Sequence, residues 1–215
     1  MKDRVEETIK TYQENFDKYV ARTVTEPSGE FKEWMDQFLS HIPEGGKILE
    51  IGSATGRDAR YFRSLGYSVF CTDVVPQALS TLANDGFETS IYDFRDDPPK
   101  AWIGQFDGFF ANAVLLHAPE QVFEKALANI LEILKKDSVA AFSLKTGEGD
   151  EVSFEKMGSP RYFLYHNREE LEDKLKKLPF EIVRLALVDR DKWLHTIIAK
   201  RQTNASARKS EGVDN

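Results

Sequence analysis

Apolar residues open the chain at a helical spacing. Val5, Ile9, Tyr12, Phe16 and Tyr19 recur every three or four positions, which predicts one helix over residues 3–22. Glu6, Glu7, Lys10, Gln13, Glu14 and Asp17 fill its other side. Residues 23–29 break the pattern at Pro27, and Ser28 stands where it can cap a second helix. Phe31, Trp34, Met35, Phe38 and Leu39 would form that helix's inner face. Residues 41–46, with Pro43 and Gly45-Gly46, read as a loop.

The period then changes. Short apolar runs at 48–51, 67–72, 88–92, 106–111 and 138–144 predict buried strands. Between them lie helical patterns at 57–65, closed by Gly66, at 76–83, opened by Pro76, and at 119–136. The longest of these turns Val122, Phe123, Ala126, Leu127, Ile130, Leu131 and Leu134 inward. Strand and helix in alternation imply a mostly parallel sheet with helices on both faces. Residues 145–161 lose the pattern and carry three glycines and a proline, so they read as a long loop on the ligand-binding edge. Asn167 caps a helix reaching about residue 177. The runs 180–188 and 193–199 flank a four-residue polar turn and predict an antiparallel hairpin. Residues 201–215 are polar, charged and small and read as a disordered tail.

The first strand runs into Gly52-Ser53-Ala54-Thr55-Gly56 and then a helix. Gly52 lets backbone and ligand approach each other, and Gly56 lets the helix start close to the sheet. Asp73 follows Gly52 by 21 residues, near the spacing at which a carboxylate meets ribose hydroxyls. Strand, glycine turn, helix and acid together make a nucleoside-binding turn. The glycines stand four apart with none two beyond Gly56, which argues against the Gly-x-Gly-x-x-Gly dinucleotide fingerprint and a nicotinamide dehydrogenase.

Composition narrows the class. The formal charge is −7, so no broad basic field exists and nucleic acid is disfavoured as a partner. A single cysteine, Cys71, lies in an apolar run and suits a reduced thiol in a cytoplasmic protein. No run nears ~18 apolar residues, so no membrane span is expected, and the charged start does not suit a signal peptide. No His, Cys or acid cluster has metal-ligand spacing, so no metal is expected.

With Glu50 two positions before Gly52, the stretch Glu50-Ile51-Gly52-Ser53-Ala54-Thr55-Gly56 resembles the first motif of the class I S-adenosylmethionine-dependent methyltransferases, with Ala54 in place of the middle glycine. Asp73 looks like the family's ribose-binding acid, and Tyr92-Asp93-Phe94 like its adenine-contacting segment. Phe106 to Asn112 looks like the fourth-strand motif, and Leu115-Leu116-His117 like the step into the next helix. Tyr12, Tyr19 and Arg22-Thr23 resemble a lead-in helix that lies over the cofactor as a lid, although both tyrosines share the apolar stripe and suit core packing equally. The resemblance spans about residues 11–200. It implies a Rossmann-like α/β fold with a seven-stranded, mostly parallel sheet and an antiparallel C-terminal hairpin. It implies S-adenosyl-L-methionine as cofactor, held by Tyr12, Tyr19, Glu50, Gly52, Ser53, Ala54, Gly56, Arg57, Asp73, Val74, Asp93, Phe94 and Asn112. One domain over 1–200 is expected, with a lid over 1–45 and a substrate-side segment over 145–166.

The expected activity is methyl transfer to an oxygen or nitrogen of a small molecule, in a monomer or homodimer. The rivals are an RNA or protein methyltransferase and a cofactor-binding module without activity. The mixed charge of residues 145–166 argues against an RNA groove. A hydroxyl acceptor needs a base, whereas a carboxylate does not. His117, Tyr19 and His166 are the catalytic candidates, with His117 also readable as a structural histidine. Lys145, Arg161 and Tyr165 are the substrate-binding candidates, with a surface ion pair to Glu151 or Glu155 the alternative for Arg161. His41 and His195 receive no role.

Overall fold

A computed structural model of the protein describes residues 3–190 and 192–201. The expected tail beyond residue 201 lies outside the described residues. The opening stripe is helical but divides into α1 (Arg4–Glu14) and α2 (Phe16–Ala21). Asn15 between them leaves helical geometry at φ −124°, and its side-chain amide donates to the Thr11 carbonyl at 3.0 Å. Such local side-chain bonding competes with helix continuation. Asp3 caps α1 by accepting from the Val5 amide at 2.9 Å. Ser28 stands at the cap position of α3 (Gly29–Leu39) without a side-chain cap bond.

The alternation that follows is β1 (Lys47–Ile51), α4 (Arg57–Ser64), β2 (Ser68–Asp73), α5 (Pro76–Asn84), β3 (Glu88–Ile91), β4 (Phe106–Ala111), α6 (Glu120–Ile133) and β5 (Leu134–Thr146). The helix expected to run to residue 136 stops at Ile133, and Leu134 turns extended as the first residue of β5. Leu134 is fully buried against β4, where it pairs with Phe106. Tertiary pairing overrides helical periodicity there.

The largest departure lies at 145–166. Instead of a long loop, it forms a hairpin, β6 (Asp150–Ser153) and β7 (Arg161–His166). Then come α7 (Arg168–Lys176), capped by Asn167 accepting from the Glu169 amide at 2.9 Å, and the antiparallel pair β8 (Phe180–Val188) and β9 (Trp193–Lys200). The sheet therefore holds nine strands rather than seven, the added two being the inserted hairpin. Its path is β3-β2-β1-β4-β5-β7-β6, and β9 with β8 also joins β5. β5 divides its length between two partners: Val139 to Lys145 pairs antiparallel with β9, and its end, Lys145 and Thr146, pairs parallel with β7.

Both faces of the sheet are covered. Trp34, Phe38, Phe62 and Phe110 fill one face, and Phe106, Phe123, Phe142 and Phe180 the other. Fully burying each such side chain contributes roughly 1.5–3 kcal/mol. The Trp34 indole donates to the Thr196 carbonyl at 3.1 Å, so α3 is tied to β9 as well as packed on it. All parallel strands end on one edge. That edge carries the site, as open α/β sheets require.

Candidate functional site

The turn after β1 is held by the acid at the end of β2. Asp73 is buried, and its Oδ2 accepts from the Ala54 amide at 2.8 Å while its Oδ1 accepts from the Val75 amide at 2.9 Å. Burial pushes its carboxyl up despite these bonds. Ala54 is left-handed at φ 47°, the conformation that suits a glycine at that place, and its bond to Asp73 holds it there. At Gly52, also left-handed at φ 69°, an added Cβ would lie 2.4 Å from the Val114 Cγ2. At Gly56 it would lie 2.4 Å from the Leu82 Cδ2, so that glycine lets α5 pack against the start of α4.

Two more acids lie behind the turn. Glu50 is buried on β1, and its Oε2 has no hydrogen-bond partner in the protein. Burial first, and the negative charge of Asp58 second, push its carboxyl up to about 8. Asp58, unmarked in the sequence, takes Arg57 Nε at 2.5 Å and Asn112 Nδ2 at 3.2 Å. Ser143 on β5 completes the chain by donating to Asn112 Oδ1 at 2.7 Å and accepting from the Ala113 amide at 2.8 Å. Ala113 is left-handed at φ 56°, a second non-glycine held in that region beside the site.

Above the turn lies a strap. Helix α1 reaches the inserted hairpin on one side, where Thr11 donates to the Pro160 carbonyl at 2.7 Å and the Tyr162 amide donates to Thr8 Oγ1 at 2.8 Å. On the other side Gln13 donates to the Val74 carbonyl at 2.9 Å, and Arg95 bonds Asp3 and Glu6 at 2.9 Å each. Arg95 also grips Asp93, so the expected adenine-side acid faces an arginine here.

Beneath the strap His117 is buried on a short 3-10 turn rather than a helix. Its Nδ1 lies 2.5 Å from the Tyr162 carbonyl, which can only accept, so Nδ1 carries the proton. Burial drops its pKa to about 4, so the ring is neutral and Nε2 is a bare acceptor. The Tyr12 hydroxyl, 3.0 Å away, donates to it and accepts from Arg161 Nη1 at 3.4 Å. Arg161 is buried, not a surface ion pair, and its Nη2 donates to the Glu155 carbonyl at 2.9 Å.

Two cavities share the wall formed by Tyr19, Gly52, Ala54, Asn112 and Ala113. One, about 90 Å³, lies under α1 and is bounded by Tyr12, Asp73, Val74, Phe94 and His117. The other, about 300 Å³, is bounded by Arg22, Arg57, Asp58, Lys156 and Trp193. The structure thus brings together Tyr12, Tyr19, Gly52, Ser53, Ala54, Arg57, Asp73, Val74, Phe94, Asn112 and His117, with Glu50 and Gly56 directly behind them. It does not bring His166 there. That ring packs on Phe123, 4.6 Å between centroids, and borders a separate depression beside Gly147 and Asn167. Lys145 stacks its ammonium over Phe163 at 4.5 Å, and the Tyr165 hydroxyl bonds Glu151, both outside the two cavities. Arg161 lines neither cavity and is bonded to Tyr12 at the edge of the smaller one. Ser143, Lys156 and Trp193 carry no motif, and their places depend on pairings distant in sequence.

The sequence matches the family model of a methyltransferase domain over residues 16–185. The chain belongs to that family, the S-adenosylmethionine-dependent methyltransferases of class I. No curated protein matches the sequence. Among solved structures, the Burkholderia thailandensis 1,6-didemethyltoxoflavin-N1-methyltransferase, bound to 1,6-didemethyltoxoflavin and S-adenosylhomocysteine, is 20% identical at a TM-score of 0.70, over 92% of this chain and 87% of its own. A Methanosarcina mazei S-adenosylmethionine-dependent methyltransferase is 16% identical at 0.65, over 76% of this chain and 96% of its own. A Rhodobacter sphaeroides structure named for Zn-dependent alcohol dehydrogenases is 14% identical at 0.72, over 94% and 100%. At these identities the likeness carries the fold alone.

Proposed function

We propose that this methyltransferase transfers the methyl group of S-adenosyl-L-methionine to an oxygen or nitrogen of a small molecule by in-line displacement. The observation that carries the acceptor class is the roof. Strap α1 and hairpin β6–β7 meet above the sheet edge, through Thr8–Tyr162 and Thr11–Pro160, and the space beneath them is two adjoining cavities of about 90 and 300 Å³, the size of a small molecule. The acidic chain, at −7, supports the same choice over RNA. The Burkholderia thailandensis neighbour, bound to 1,6-didemethyltoxoflavin, acts at such a small acceptor and supports the reading by analogy.

The residues fit the cofactor. Gly52 lines both cavities, and Glu50 keeps a buried oxygen without a hydrogen-bond partner in the protein, as a site for an ammonium group requires. Asp73, Val74 and Phe94 would hold the nucleoside part, with Asp93 held at that end by Arg95. Glu50, Ser53, Ala54, Arg57 and Asn112 would hold the amino-acid part. Bound there, the cofactor supplies a methyl group already activated on a sulfonium, so the protein's main task is alignment in a dry pocket.

Tyr12 and His117 have the chemistry to move a proton. The phenol donates to a neutral imidazole nitrogen while Arg161 faces its oxygen, so a proton taken up by Tyr12 can pass to His117. Tyr19, its ring edge-on to Tyr12 at 5.5 Å, packs between the two cavities, and burial raises its pKa to about 12. It serves as wall rather than base. Residues 1–45 act as lid and anchor in this reading, and 145–166 as the acceptor side.

The test is to incubate the protein with S-adenosylmethionine labelled in the methyl group and with separated small-molecule, RNA and protein fractions of a cell extract. Label is expected in the small-molecule fraction. Label confined to RNA or protein would overturn the acceptor class, and absence of S-adenosylhomocysteine binding by calorimetry would overturn the cofactor site.

A further inference from the structure

The wall of the larger cavity opposite the glycine turn is cationic. Lys156 lies in the connection between β6 and β7 in a left-handed conformation, φ 65°, which a lysine seldom adopts. Its ammonium stands 4.2 Å from the centre of the Tyr19 ring and donates to Thr23 Oγ1 at 3.3 Å. Its carbonyl accepts from the Arg22 guanidinium, so the two cations are tied side by side. Among the described residues neither has a carboxylate partner. Burial lowers the Lys156 pKa, and the charges acting on it, Arg161, Arg57 and Arg22, are all positive.

This concentration runs against the composition, since the chain as a whole carries −7. The cofactor does not account for it. Around Lys156 stand Arg22, Arg57 and Arg161, against one cavity-lining carboxylate, Asp58, which Arg57 already holds at 2.5 Å. S-adenosylmethionine brings one carboxylate, and in the reading above its ammonium is assigned to Glu50. Positive charge is therefore left over when the cofactor is bound. Tyr19 and Trp193 flank the same space with aromatic surface, and Asn112 connects it to the smaller cavity.

We propose that the methyl acceptor is an anion, and that Lys156 with Arg22 docks its carboxylate or phosphate group in the larger cavity. The body of the acceptor then lies between Tyr19 and Trp193, with its nucleophile toward Asn112. This rests on reading the neighbouring turn as the cofactor site. The geometry explains why Lys156, partly buried and in a strained backbone, has its carbonyl tied to the exposed Arg22 guanidinium, with no carboxylate partner for either among the described residues.

The test uses the full chain saturated with S-adenosylhomocysteine and titrated by calorimetry with benzoate and, separately, with inorganic phosphate. Saturable binding of one of them is expected, and which one binds tells carboxylate from phosphate. Lys156→Gln should weaken it by about tenfold or more, and Lys156→Arg should retain it. S-adenosylhomocysteine affinity should stay within about threefold in both variants, the difference of a minor contact. An unchanged thermal midpoint checks that the variants fold, and Arg22→Gln gives a second probe of the same pair. The proposal is overturned if neither anion binds saturably, if the anions compete with S-adenosylhomocysteine, or if Lys156→Gln weakens S-adenosylhomocysteine as much as the anion. Failure of the wild-type chain to bind S-adenosylhomocysteine would instead remove the cofactor reading, and this proposal with it.

Discussion

The two sides of the site are built in opposite ways. The sheet side comes from one compact stretch: β1, its glycine turn, α4 and the end of β2, all within residues 47–73. Its buried acids are Glu50, Asp58 and Asp73, of which Asp73 is held by backbone amides and Asp58 by Arg57 and Asn112. The roof side is assembled from α1, α2 and the β6–β7 hairpin, joined by contacts such as Thr11 to Pro160 across 149 residues of chain. Toward the larger cavity it presents the cations Arg22 and Lys156, with Arg161 bonded to the Tyr12 hydroxyl beside the smaller one. The difference implies a division of labour. In the proposed reading, a short, locally determined turn would recognise the cofactor, and the segments distant in sequence would recognise the acceptor.

The largest effect should come from breaking the sheet side at its centre. Asp73→Ala removes the acceptor of two turn amides, at Ala54 and Val75, and should weaken S-adenosylhomocysteine binding by about 100-fold or more, measured by calorimetry. A loss below about threefold would mean that the turn holds without its acid.

A smaller effect sharpens the charge contrast. Glu50 titrates near 8 in the folded protein, above its ordinary value of 4.5, so it is mostly protonated at pH 7. A group raised in this way takes stability from the free protein as pH climbs from about 4.5 to about 8, because the unfolded chain ionises first. An ammonium brought to its bare oxygen favours the carboxylate. S-adenosylhomocysteine binding at pH 7 should therefore release up to about one proton, read by calorimetry in buffers of different ionisation enthalpy. Glu50→Gln should abolish the release. An equal release in that variant would assign the proton to another group.

The smallest effect belongs to the rim of the roof. Arg4 and Asp150 form an ion pair at 2.9 Å with side chains 50% and 42% exposed. Arg4→Ala should cost under about 1 kcal/mol, a few degrees of melting temperature at most. A cost well above that would mean that the strap is held by its rim rather than by Tyr12, Thr8 and Thr11.

Most of the sheet side was legible in the sequence. Gly52, Gly56 and Asp73 sit at spacings that the strand-turn-helix geometry itself dictates, and the structure joins Asp73 to Ala54 at 2.8 Å. Asp58 and Ser143 escaped notice because a lone aspartate on a helix and a serine in a strand look ordinary until Asn112 connects them. The expected catalytic His166 and the expected contacts Lys145 and Tyr165 lay on the right segment, but His166 packs on Phe123, Lys145 over Phe163 and Tyr165 against Glu151, outside both cavities.

The roof shows where sequence reading stops. Residues 145–166 hold too few periodic apolar positions to announce a hairpin. Their pairing register, Asp150 with Leu164 and Ser153 with Arg161, depends on β5 offering its last two residues to β7. The alternation of strands and helices, the glycine turn after β1 and the acid that holds it could be read from the sequence. Each of these arises from period, glycine freedom and spacing over a few tens of residues. Long-range packing alone placed His117 against Tyr12, buried Arg161 behind that pair, and set Lys156 beside Arg22 on the larger cavity without a carboxylate partner among the described residues. Those contacts join residues more than a hundred positions apart, where no local rule of spacing applies.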